Sequence, residues 1–171
     1  MVKVLLVPGL HGPADGHWQR FWAASDAAAS LVEQENWSRR DTAAWEAALV
    51  ERVTAEPGTV LVGTASARCW SPAFRRCILI SRSRAPCWWC RVSDTRLRRF
   101  HPLPDGRLPT PTTRWQAATT HGCPSRGLAA AWGADLVDLG FAGHVNIDRG
   151  FGPWPAASSH GQAQSNVPPS F

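Results

Sequence analysis

The chain has 171 residues, 44% of them apolar, and a formal charge of +5. That length suits one domain, whose core can hide ~70% of the unfolded surface. The composition excludes a disordered chain. No apolar run approaches the ~20 residues of a spanning helix, so no membrane partner is expected. The opening MVKVLLVPGL is too short for a signal-peptide core, and a cytoplasmic protein is expected.

The charge is uneven. Residues 64–126 hold 12 Arg and 2 acids, while the remainder holds 6 basic and 11 acidic residues. All five Cys (Cys69, Cys77, Cys87, Cys90 and Cys123) fall in that same block. The chain carries 10 Trp, no Tyr and a single Lys, Lys3. Two compositions therefore share one sequence.

In chain order, VKVLLV (2–7) reads as a strand buried on both faces of a parallel sheet. The loop PGLHGPADG follows, and a helix is expected from near Asp15, with Trp18 and Trp22 on one face. A short strand is expected near Leu31–Glu33. Asp41 can cap a helix from Thr42, on which Trp45, Leu49 and Val53 recur at i, i+4, i+8. Pro57-Gly58 ends it, and TVLVG (59–63) is a second buried strand. The order predicts an α/β fold, a doubly wound parallel sheet.

After Gly63 the periodicity fails. Residues 64–100 hold one strand-like run, CILI (77–80), and are expected to be irregular. Residues 102–113 read as a Pro/Thr-rich loop. A helix (about 125–133) and a strand (135–139) follow, then the loop FAGHVNIDRGFGPWP. One domain is expected over 1–155, with a flexible tail over 156–171.

The two regular ends resemble the small serine hydrolases of the α/β-hydrolase superfamily similar to retinoblastoma-binding protein 9. The resemblance is carried by VLLVPGLHGPADGHWQRFW, VEQENW…AAWEAAL and WGADLVDLGFAGHVNIDRGFGPWP, roughly 100 residues together. It implies an α/β-hydrolase fold and hydrolysis of small esters or amides by Ser-His-Asp acyl transfer, with no metal and no cofactor. It makes His144, in Gly143-His144-Val145-Asn146, the general base. Gly9, Leu10, His11 and Gly12 resemble the loop that supplies an oxyanion-hole N–H, and they also read as an ordinary Gly-Pro turn.

The family's G-H-S-L-G elbow and its S-x-x-D-P loop are missing. After TVLVG the chain reads Thr64-Ala65-Ser66-Ala67-Arg68-Cys69-Trp70. Ser66 is a weak nucleophile candidate, because no glycine flanks it and it reads more simply as an ordinary turn serine. One codon assignment for GTASARCWSP is GGC ACA GCC TCG GCG CGC TGC TGG TCG CCC. Adding one C after the first codon turns it into G-H-S-L-G-A-L-L-V-A. The same offset turns Arg84–Cys90 into A-L-L-V-V-P, a buried strand, and Trp115–Pro124 into V-A-S-R-N-D-P-W-M-P, which holds the missing Asp motif. Three recoveries in family order point to a frameshift near Gly63, compensated by about Gly127. The chain as written is expected to be inactive.

Other readings of the middle block are weaker. The Cys spacings of 8, 10, 3 and 33 match no zinc framework, and the thiols read as incidental. The Arg-rich stretch with Trp70, Trp88 and Trp89 carries no nucleic-acid module signature. The alternative function is a non-catalytic binding module whose Arg/Trp-rich middle meets an acidic partner. Oligomeric state and substrate are not legible.

Overall fold

The computed structural model describes residues 3–39, 41–63, 87–92, 112–117, 130, 135–139 and 145–154. Within them lie six strands: β1 (Val4–Val7), β2 (Ala29–Leu31), β3 (Val60–Gly63), β4 (Cys87–Val92), β5 (Thr112–Ala117) and β6 (Asp135–Asp138). Two helices, α1 (Trp18–Ser25) and α2 (Thr42–Ala55), and a 3-10 turn (Ile147–Arg149) complete the described elements. The strands form one parallel sheet in the order β2-β1-β3-β4-β5-β6.

Both faces of the central strands are covered, which is why their sequences are continuous apolar runs rather than alternations. Val4, Leu6, Val60 and Val62 pack with Trp18 and Trp22 of α1. Successive side chains on a strand point to opposite faces, so Leu5, Val7 and Leu61 serve the other side and are equally buried. There α2 buries Trp45, Leu49 and Val53. Arg52 Nη2 donates to Ser30 Oγ at 2.9 Å, which places α2 on the face of Ser30 and its neighbour Leu5.

Local chemistry sets the helix ends. Asp41 Oδ1 accepts from the Ala44 N–H at 3.0 Å and caps α2 as expected. That bond, aided by Arg39, holds the Asp41 carboxyl below the usual carboxylate range. The first helix begins later than the expected Asp15. Gly16 takes φ +82°, His17 N–H donates to Ala14 O, and the loop turns once more before Trp18. The second strand is Ala29–Leu31 rather than Leu31–Glu33, because Val4 pairs with Ala29 and draws it into register.

Two expectations for the middle are corrected. Cys87–Val92 is a strand within the segment expected to be irregular, and β5 starts at Thr112, inside the expected loop 102–113. Backbone N–H and C=O groups make the ladder whatever the side chains, and β4 has a parallel partner on each side. Residues 77–80, most of the expected helix 125–133 and the tail 156–171 lie outside the described residues.

Candidate active site

In an open parallel sheet, ligands bind beyond the carboxyl ends of the strands where the strand order reverses. Here the chain runs from β1 outward to β2, then returns to β3 on the other side of β1. Val7 pairs with Gly63, so the loop after β1 starts beside the carboxyl end of β3. That end of the sheet is the candidate site.

The β1 loop is built tightly. His11 N–H donates to Trp37 O at 2.9 Å, and Gly12 N–H donates to Gly9 O at 3.0 Å. His11 and Gly12 both take positive φ, 70° and 65°. A Cβ at Gly12 would fall 3.0 Å from the Trp37 ring on a left-handed backbone, so a side chain there would be strained. Trp37 in turn rests against Trp45 of α2, ring centres 6.1 Å apart. Two amides of the four-residue loop are thus committed internally. Among the described residues no backbone carbonyl accepts from the Gly9 or Leu10 N–H.

Beneath this loop, His17 caps α1. Its Nδ1 accepts from the Gln19 N–H at 3.3 Å, and burial lowers its pKa to about 4, so the ring is neutral. The Gln19 side chain is buried and its Nε2 donates to Val7 O at 3.4 Å, tying α1 to the end of β1. His17, Gln19 and Trp37 were missed as site supports. The available signal was the pair of glycines, Gly12 and Gly16, bracketing a short loop before two Trp.

The segment 145–154 closes over the same end of the sheet. Val145 is buried and packs with Leu139, Phe151 and Trp154. Trp154 meets Trp18 edge-on, ring centres 5.6 Å apart. A Cβ at Gly152 would lie 3.4 Å from Gly16 O, and one at Gly16 would lie 3.6 Å from Ile147 Cδ1. The residue after His144 therefore belongs to a segment that rests on the β1 loop and α1. His144 and Ser66 themselves lie outside the described residues. Of the expected site residues, the structure describes Gly9, Leu10, His11 and Gly12 and places them at the switch point.

Among the described residues no three His, Cys, Asp or Glu side chains converge on a possible metal position. None of the described helices is long and apolar enough to cross a membrane.

The serine hydrolase family profile matches residues 4–161. A YdeN-like hydrolase from Pectobacterium atrosepticum is similar in structure, with TM-score 0.81, 25% identity, and coverage of 98% of this chain and 94% of that one. The ydeN gene product of B. subtilis shares the fold at TM-score 0.73 and 17% identity, with coverage of 98% and 100%. No curated protein matches the chain. The matched span takes in nearly the whole sequence, including the Arg-rich middle, and the chain belongs to the serine hydrolase family.

Proposed function

We propose that this chain descends from hydrolases of small esters or amides that work by acyl transfer, and that its reading frame has changed between Gly63 and about Gly127. In that reading His144 is the general base. The Gly9–Gly12 loop supplies an oxyanion-hole N–H donor. The nucleophile belongs just after β3, where a serine would stand beside the β1 loop.

The observation that carries the reading is the switch point between β1 and β3. The glycine-rich β1 loop starts beside a strand end from which the expected elbow is missing, since Gly63 is followed by Thr64-Ala65-Ser66. The central sheet adds support. β4 and β5 are CWWCRV and TTRWQA, and each is flanked by parallel strands on both sides. Strands so placed are ordinarily apolar runs. The shifted reading of Arg84–Cys90, A-L-L-V-V-P, supplies such a run over part of β4.

An intact member of this lineage acylates its serine, expels the alcohol or amine with a proton from the base, then hydrolyses the acyl-enzyme. This chain lacks the serine elbow and the Asp motif. It is expected to show no turnover of p-nitrophenyl acetate above a His144→Ala variant and no labelling by a fluorophosphonate probe. Labelling that maps to Ser66 would overturn the inactive reading.

A further inference from the structure

The segment 145–154 meets the start of α1 on both sides of one residue, His17. Before it, Gly16 O lies 3.4 Å from where a Gly152 Cβ would stand, and Ile147 Cδ1 lies 3.6 Å from where a Gly16 Cβ would stand. After it, Trp18 meets Trp154 edge-on, ring centres 5.6 Å apart. The backbone conformation at His17 therefore sets both contacts at once.

The cap that fixes this conformation works in one protonation state. His17 Nδ1 accepts from the Gln19 N–H at 3.3 Å, so the ring carries its proton on Nε2. A second proton turns Nδ1 into a donor facing a donor, and the first turn of α1 loses its cap. Burial is the one cause that displaces the His17 titration. The charged neighbours are engaged elsewhere: Asp15 and Arg20 pair at 3.6 Å, and Asp148 of the segment accepts from Asn146 Nδ2 at 3.3 Å.

The segment also holds strain that its release would relieve. Val145 takes φ 51°, where the two heavy atoms on its Cβ crowd the left-handed backbone. Such a conformation persists only where the surroundings over-determine it. Here the surroundings are Leu139, Phe151 and Trp154, and Trp154 is braced in turn by Trp18.

We propose that His17 is an acid-sensitive latch: a proton on Nδ1 opens the first turn of α1 and releases residues 145–154 from it while the parallel sheet stays folded. The released state exposes the imidazole, so acid favours it over the latched one. Gly16 and Trp18 lose their fixed positions, Trp154 loses its brace, and Val145 relaxes.

The test is amide hydrogen exchange in the full chain, at about pH 7 and about pH 5, with rates corrected for the intrinsic pH dependence. Gly150 N–H donates to Ile147 O and Phe151 N–H to Asn146 O, so these two amides report the segment. Val60 N–H donates to Lys3 O and reports the sheet. In the wild type, protection at Gly150 and Phe151 should fall about 5- to 20-fold between the two pH values and stay below that of Val60 at both. In His17→Asn, which keeps a cap that does not titrate, it should not fall. Three results would overturn the proposal: protection of Gly150 and Phe151 that ignores pH, protection equal to that of Val60 at both pH values, or the same fall in His17→Asn. The first two need only the wild type, so the test stands even if the variant does not fold.

Discussion

Acid should loosen this protein through His17, and the size of the effect follows from its surroundings. The imidazole accepts the Gln19 N–H through Nδ1, so it caps α1 only while that nitrogen is unprotonated. Burial lowers its pKa from 6.5 to about 4. The unfolded chain therefore takes up the proton first as pH falls, and stability is lost between about pH 6.5 and about pH 4, then levels off. The gap corresponds to roughly 3 kcal/mol at most. Part of the ring is exposed, and solvent screening reduces the expected loss to about 1–2 kcal/mol. His17→Asn keeps a side-chain acceptor at the cap and removes the titration. Urea unfolding followed by tryptophan fluorescence, at about pH 7.5 and about pH 4.5, should show the wild type losing about 1–2 kcal/mol more than the variant. Equal losses in the two proteins would refute the assignment of a buried neutral cap.

Gly12→Ala adds a Cβ 3.0 Å from the Trp37 ring at a backbone with φ +65°, and thermal melting should show a cost of about 1–3 kcal/mol. An unchanged melting temperature would mean the β1 loop is not wedged against Trp37. Leu49→Ala empties a fully buried position on α2, and chemical denaturation should register a loss of about 2–5 kcal/mol. A loss below about 1 kcal/mol would mean that α2 is not packed on the sheet.

The sequence was most legible where one physical cause dominated. Continuous apolar runs marked β1 and β3, because burial on both faces of a parallel sheet demands them. Asp41 and the Trp45, Leu49, Val53 stripe marked α2, where a side-chain cap and one buried face coincide. The start of α1 was misplaced because its cap is a histidine, whose acceptor role depends on burial that no local pattern announces. β4 and β5 were hidden for a different reason. CWWCRV and TTRWQA have no strand periodicity, and their pairing is visible only once β3 and β6 are in place. At the candidate site, the Gly9–Gly12 loop was legible as a glycine-rich turn after a strand. Its support by Trp37 was not, because 25 residues separate Gly12 from the ring it touches.

The DNA encoding residues 63–70 tests the central claim most directly. A parallel sheet with a glycine-rich loop at its switch point makes chemical sense around a nucleophile. Losing both the elbow and the Asp motif while keeping the fold's two ends is more simply achieved by one pair of indels than by some sixty independent substitutions across residues 64–126. Sequencing that stretch should show that one added C after the Gly63 codon yields G-H-S-L-G, with the original frame restored by Gly127. Codons that give no serine flanked by glycine in either alternate frame would contradict the account.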